Sequence, residues 1–467
     1  MKPSYRRLAS DTLVFATGNV LVKLIQFFLL PMYTALLTTG EYGVAELVNN
    51  LAELLWPLAC LGIYEGVLRF AIDDDLDRAS VLTTGLATSA GIAPVVIAVG
   101  IAGYAVTGFD CTGYLVVLCL VAPVRSICLQ FTKGIGMTRL YTASGIVGAL
   151  SLCAFGYTFL GVLHMGTSGY LTAIIVSQFV QLAVVTAGAR LWQYIHPDRV
   201  DSNLLKKLLS YSLPMIPNAL CWWFVHLSGR YIVLFFDGTA AAGTFAAASK
   251  LPAIINMVVT IFQQAWQLFS AREYGTEGRN DSFGDVFEAF SAFLLCAGAL
   301  TIALTRPLCS FMLSGDFFDA YHYVPVLMLG AVINGYSMFF GTIYNAAKRN
   351  TMIFVTTMAG AFTNIAIGAA LAPLIGAWGP AIGSVAAYSV ISLVRIVNTR
   401  RLANVRIDIP YQIAGLLVLV AEVIRIAGDA PGATTLSLVL SGALVVTTVV
   451  HYRATVAKLI GSLRKKG

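Results

Sequence analysis

Residues 15–70 read FATGNVLVKLIQFFLLPMYTALLTTGEYGVAELVNNLAELLWPLACLGIYEGVLRF. Two long apolar stretches flank a short turn around Gly40-Glu41-Tyr42-Gly43, and a lysine, Lys23, stands inside the first. A bilayer core about 30 Å thick is crossed by about 20 apolar residues, so the segment reads as two consecutive transmembrane helices. A charge at that depth costs about 2.5–3.5 kcal/mol even on the lenient insertion scale. Lys23 is therefore expected to face a protein interior or a water-filled cavity. Arg125 and Lys250 stand inside later apolar runs in the same way, with Arg230 nearer one end of its run. Central acids are fewer: Glu53, with Glu46 shallower. A cation-rich interior in a membrane protein points to the handling of an anion.

The rest of the chain agrees. It is 58% hydrophobic and 11% charged over 467 residues, with a mean hydropathy of +0.80 and a formal net charge of +7. Soluble proteins average about 25% charged residues, so a soluble fold is excluded. Eight cysteines occur without a C-x-x-C or any regular spacing, which argues against a zinc site or a disulfide framework and for packing. The basic start (Lys2, Arg6, Arg7) runs into an apolar stretch reaching Leu37. That is too long for a signal-peptide core, and an uncleaved first span is expected.

By length and hydropathy the sequence predicts an all-α integral membrane protein of about fourteen spans. These lie near 11–36, 44–68, 81–106, 113–133, 141–163, 169–190, 208–236, 241–269, 284–306, 321–345, 351–373, 377–399, 410–427 and 433–451. With the N-terminus inside, most of the 30 basic residues fall in alternate loops, as cytoplasmic loops require, and both termini are expected in the cytoplasm. The chain also repeats itself. At an offset of about 200, Ser10 falls on Ser210, Gly43 on Gly243 and Ala71 on Ala271; at 210, Arg139 meets Arg349 and Gly169 meets Gly379. Repeats of six spans run in the same direction and place a substrate site between halves. The expected organisation is an N-terminal six-helix lobe (1–190), a cytoplasmic linker (191–207), a C-terminal six-helix lobe (208–399), an extra helix pair (400–452) and a basic tail (453–467). The tail reads as an interfacial helix on anionic lipid.

Residues 15–70, with the lysine in the first span, LLPMYT at its outer end, the EYG turn and PLACLGIYEGVLRF, resemble the opening of the bacterial polysaccharide (O-antigen type) flippases. LSGRYIVLFF, GTFAAASKL and AWQLFSAREY resemble the second repeat of that family. The family belongs to the multidrug/oligosaccharidyl-lipid/polysaccharide exporter superfamily. The resemblance implies two six-helix lobes with alternating access, moving undecaprenyl-pyrophosphate-linked oligosaccharides to the outer leaflet of a bacterial plasma membrane. It also implies membrane lipids as surroundings, a polysaccharide polymerase and glycosyltransferases as partners, and a monomer. Fourteen spans also occur in the related lipid II flippase, so the last pair either lines a lipid-tail groove or pads the bundle.

The candidate site follows from spacing. Asn19, Lys23 and Gln26 share one helix face, as do Glu46, Asn49, Asn50 and Glu53 on the next span. By rise per residue, Lys23 and Glu53 reach similar depth, so a pair is geometrically allowed, either structural or opened by substrate pyrophosphate or a coupling ion. Lys23, Arg125, Lys250 and Arg230 are the expected headgroup-binding cations, since arginine forks suit a pyrophosphate. Asn19, Gln26, Glu46, Asn49, Glu53 and His226 are expected to line the cavity or couple it to H⁺ or Na⁺. Glu65 and Arg69 are spaced as a structural i, i+4 pair. No metal, catalytic group, other cofactor or nucleic-acid partner is expected.

Two other functions fit parts of the sequence. An ion-coupled exporter of cationic drugs on the same fold would favour an acid-rich cavity, and this chain shows the reverse. Asp73, Asp74 and Asp77 spell the D-D-x-x-D of prenyltransferases. That chemistry needs a second acidic cluster facing the first, and Asn280, Asp281, Asp285 and Glu288 have the wrong spacing. A solvated acidic loop is the better reading.

Overall fold

A computed structural model describes residues 3–72, 76–274, 279–347 and 349–466, with side chains except those of 3–17, 19, 218–219, 264, 268, 271–273, 279, 350 and 453–466. Every described element is helical. That is the solution a bilayer imposes on an open chain, because backbone polar groups must be satisfied within each segment. In order they are α1 (Pro3–Leu36), α2 (Thr39–Ala59), α3 (Ile63–Ala71), α4 (Arg78–Thr107), α5 (Thr112–Gly134), α6 (Thr138–Gly156) with a π-helical extension (Tyr157–Val162), α7 (Gly166–Gly188), α8 (Ser202–Ser212), α9 (Ile216–Ala248), α10 (Ala253–Glu273), α11 (Arg279–Ala303), α12 (Thr305–Met312), α13 (Val324–Ala346), α14 (Asn350–Ile375), α15 (Trp378–Thr399), α16 (Ile409–Ala427) and α17 (Ala433–Lys466). The chain is a multi-pass membrane protein.

Among the described residues, eleven helices are long and apolar enough to cross a membrane, and α2 with α3, bent by 61°, makes a twelfth. Two of the fourteen expected spans lie outside that count. The first is α1, of which the stretch Val20–Leu36 falls among the residues described with side chains. The eighth, expected at 241–269, is divided: its first part continues α9 past Gly238, whose φ of 85° interrupts the helix, and its second part is α10. Lys250 therefore sits in the break between α9 and α10, not inside a continuous helix.

Two compact units divide the chain, Met1–Trp223 and Phe224–Gly467. In the N-terminal unit, Thr38 and Glu41 form a capping box at the start of α2, which satisfies donors the helix leaves orphaned. The bend between α2 and α3 rests on Leu61 and Gly62, both left-handed (φ 51° and 64°), a conformation glycine adopts without strain. The bend lets α3 lie against α8, so closely that the backbone N–H of Gly66 donates to Ser212 Oγ at 3.1 Å. α8 corrects the sequence reading: the polar stretch taken as linker contains a helix capped by Asp201. Its Leu204 and Leu208 join Ile63, Val67, Ile127 and Phe131 in a core.

The C-terminal unit is held by an aromatic cluster between α10, α11 and α13. Phe262 stacks on Phe290 at 3.8 Å, and Trp266 on Phe339 at 4.3 Å while its Nε1 donates to the Phe339 carbonyl at 3.0 Å. The last helix pair belongs to this core. Tyr336 of α13 donates to Gln412 of α16 at 2.7 Å, and Gln412 donates to Ser291 of α11 at 2.7 Å. α17 runs as one helix to Lys466, so the tail continues the last span's helix; its side chains lie outside the described residues.

Candidate functional site

In the N-terminal unit the buried polar groups gather on α2, α5, α6 and α7. Arg125 on α5 donates from Nη1 to Gln181 Oε1 on α7 at 2.8 Å. Glu53 on α2 and Tyr141 on α6 lie within its electrostatic reach. Arg125 Nε and the Oε1 atoms of Gln130 and Gln178 are buried without a hydrogen-bond partner. Such atoms are rare in folded proteins and call for a ligand, water or ion. Glu53 itself is exposed and accepts from Trp56 Nε1 at 3.2 Å.

The expected Lys23–Glu53 pair does not form among the described residues. Lys23 and Gln26 are exposed, and no acid acts on Lys23; Asn19's side chain is outside the described residues. Similar depth by residue count is not contact: both side chains are exposed, and Glu53 is engaged by Trp56. Glu46 is not on a cavity wall either. It is 1% exposed and enclosed by tyrosines, accepting from Tyr170 at 2.7 Å and Tyr42 at 3.3 Å, with Tyr33 4.8 Å from Tyr170, ring to ring. Asn49 is half-buried, and buried Asn50 offers its carbonyl to Trp223 Nε1 at 2.8 Å. The Glu65–Arg69 pair is also absent: the cation acting on Glu65 is Lys133.

In the C-terminal unit, Arg230 and His226 line one cavity of about 200 Å³ with Ser249, Asn256, Asn364 and Tyr388. Arg230 is 7% exposed, so it does not reach out to the surface. His226 Nδ1 and the Tyr388 hydroxyl share a 2.7 Å hydrogen bond. Asn364 is fixed by donating to the Phe224 and Val225 carbonyls at 3.1 and 3.0 Å, which leaves its Oδ1 buried without a partner. The described lining contains no acid, and Lys250 is not part of it. A buried guanidinium in a recess whose described lining has no acid is an anion-binding arrangement.

Two buried ionisable groups escaped the sequence reading. Arg395 on α15, 1% exposed, donates to Thr356 Oγ1 (3.0 Å), the Ser337 carbonyl (2.8 Å) and Thr357 Oγ1 (3.0 Å). Glu422 on α16 is fully buried and accepts from Ser441 of α17 at 2.8 Å. Asp77, read as part of the acidic motif, caps α4 and pairs with Arg199 at 2.9 Å; Asp73 and Asp74 lie outside the described residues. No group of three or more metal-ligating side chains occurs among the described residues.

No family profile and no curated protein matches the chain. Solved structures do. An inward-facing multidrug resistance MATE family transporter of the MOP superfamily aligns over 83% of this chain and 98% of its own, with a TM-score of 0.66 and 13% identity. An outward-facing MATE structure aligns over 85% and 95%, with a TM-score of 0.59 and 14% identity. The Vibrio cholerae MATE transporter VcmN in its bent form aligns over 85% and 96%, with a TM-score of 0.56 and 15% identity. At these identities the likeness is one of fold, and the chain has the fold of the MATE transporters.

Proposed function

We propose that this protein is a transporter that carries an amphiphile with an anionic head outward across a bacterial plasma membrane by alternating access, both termini lying in the cytoplasm. The substrate class is an undecaprenyl-pyrophosphate-linked oligosaccharide destined for surface polysaccharide. The observation that carries this is the C-terminal unit's cavity, where Arg230, His226, Asn256 and Asn364 meet with no acid in the described lining. The family resemblance of residues 15–70 and the half-buried Arg125 with its unused Nε support the same charge preference. An inside-negative potential favours outward movement of such a head by about 2.3 kcal/mol per charge per 100 mV. No enzymatic step is part of this reading.

A second reading, an ion-coupled multidrug exporter, is supported by the fold: the similar solved structures are multidrug MATE transporters found facing inward and outward, and they favour this reading over oligosaccharide flipping. The lining charge favours the first, since a cationic drug beside Arg230 is repelled in a low-dielectric recess. Native mass spectrometry in nanodiscs separates the two. The first requires saturable binding of polyprenyl diphosphate, weakened in Arg230→Gln, and weak binding of a cationic dye. Tight dye binding released by a proton or sodium gradient, with no affinity for the diphosphate, would establish the second.

A further inference from the structure

In the N-terminal unit an apolar groove of about 720 Å³ runs between α2, α4 and α5, within the ~300–1,000 Å³ range of ligand pockets. Leu55, Val95, Val99, Gly103, Val116 and Cys119 are among its walls. Its making is legible in α4. Gly100 lets the helix close on α5, since a Cβ there would stand 2.1 Å from Val116, whereas a Cβ at Gly103 would meet nothing within 4 Å and point into open space. The groove is open along α4, where its lining residues Val95 and Val99 are 60% and 66% exposed.

The two ends differ. One lies at the turn Thr107–Thr112, where Asp110 is exposed and no cation is present. The other shares Ala59, Val96 and Cys119 with a second cavity of about 370 Å³ that reaches Val124, the residue before Arg125. Glu53 lies within electrostatic reach of both Cys119 and Arg125. The apolar track therefore leads toward Arg125, a cation with an unused N–H beside Glu53, and away from an end that carries an acid and no cation.

We infer that this groove holds the hydrocarbon tail of the transported amphiphile, with its anionic head directed to the Arg125 end. This rests on the exporter reading and adds where the tail goes. It places the tail on α4, not on the last helix pair, as the sequence allowed. The charge asymmetry selects the orientation. A membrane phospholipid entering from the Thr107–Thr112 end would set its phosphate beside Asp110.

The test uses the full chain in nanodiscs and a polyprenyl diphosphate carrying a diazirine near the tail end. Saturable crosslinks are expected on peptides covering 92–107, competed by unlabelled polyprenyl diphosphate but not by added phospholipid. Gly103→Phe fills the groove without a clash and should remove most of that labelling. Gly442→Phe on α17, also with open space around its Cβ, should leave it intact. Saturable labelling of α17, or labelling on 92–107 that Gly103→Phe does not reduce, overturns the groove assignment while leaving the exporter reading in place. No saturable labelling anywhere, together with tight dye binding, overturns both.

Discussion

Gly341 and Arg395 make a sharp test of the C-terminal unit's packing. A Cβ built on Gly341 stands 2.5 Å from Arg395 Nη1 and 3.3 Å from its Cζ. That guanidinium cannot swing aside freely, because each of its nitrogens donates a bond, Nη1 to the Ser337 carbonyl at 2.8 Å. Gly341→Ala must therefore displace the head and stretch that bond. Overpacking a core costs about 1–3 kcal/mol, and an interhelical hydrogen bond in a membrane bundle is worth about 0.6 kcal/mol on average, up to about 1.7. The expected loss is about 2–4 kcal/mol. Arg395→Met alone should cost little: Thr356 and Thr357 keep their own bonds to the Met352 and Ile353 carbonyls at 2.8 Å, and the buried charge has no acid partner among the described residues whose loss would leave an ion stranded. In the Arg395→Met background Gly341→Ala should cost under about 1 kcal/mol, since methionine adapts to irregular space. The cycle should show a coupling of roughly 2 kcal/mol, read by unfolding in mixed detergent micelles. Additive effects within about 0.5 kcal/mol would show that the guanidinium does not sit against Gly341.

Asp77→Ala should lose about 1 kcal/mol through the α4 cap. Against a desolvation that would raise it, hydrogen bonds from Ser80 and Arg199 hold the Asp77 carboxyl below its usual range, so this contribution is present above the ordinary carboxylate pKa and is lost as pH falls through the lowered one. A stability difference between wild type and variant that persists unchanged in strong acid would contradict it. At the α16–α17 turn, hydrogen bonds from Tyr321 and His322, with a further one from Arg306, hold Asp429 at about 2. Asp429→Asn should raise hydrogen exchange in both 315–323 and 426–433, and a change confined to one segment would show that they are not latched. Lys23→Met and Glu53→Gln should be additive in a thermal cycle, whereas Arg125→Gln and Glu53→Gln should couple. In a cysteine-free background, a cysteine at Thr239 should react with an impermeant reagent from outside and one at Asn404 should not, the reverse pattern refuting the expected topology.

The helical bundle was legible because a bilayer permits little else: apolar runs of span length, read one by one, became α4 to α7, α11 and α13 to α16 within a few residues, and α17 at its start. What escaped was whatever depends on rotation about a helix axis or on local backbone. Lys23 and Glu53 were matched by depth, which is all that a residue count supplies, and they do not pair. Glu46 shares its helix face with Glu53 in the sequence pattern, yet besides Tyr42 one turn before it, the tyrosines that enclose it come from α1 and α7, 13 residues before and 124 after, beyond any local signal. α8 did leave a trace, Asp201 before Leu204 and Leu208 at helical spacing, hidden by the lysines between them. Arg395 was masked by its neighbours Arg400 and Arg401, which made the end of α15 look like an ordinary basic span end. Glu422 stood in plain view in an apolar run, and its partner Ser441 lies across the next turn.

The buried and half-buried arginines within the described helices fall into two kinds, and the difference decides which of them can act on a substrate. Arg395 spends Nε, Nη1 and Nη2 on protein oxygens and has backbone against it at Gly341, so no room remains for a ligand. Arg125 uses Nη1 on Gln181 and keeps Nε unused. Arg230 borders open volume. A saturated cation serves packing, whereas one with an unused N–H, such as Arg125, or beside open volume, such as Arg230, can turn to a phosphate. The consequence is measurable in cells that depend on this protein for surface glycan. Arg395→Met should leave export close to normal once protein abundance is accounted for. Arg125→Gln, which breaks no saturated network, should reduce it severely at equal abundance. Equal export by both variants would mean that unsatisfied donors do not mark the transport path, and the assignment of Arg125 to the headgroup would fall with it.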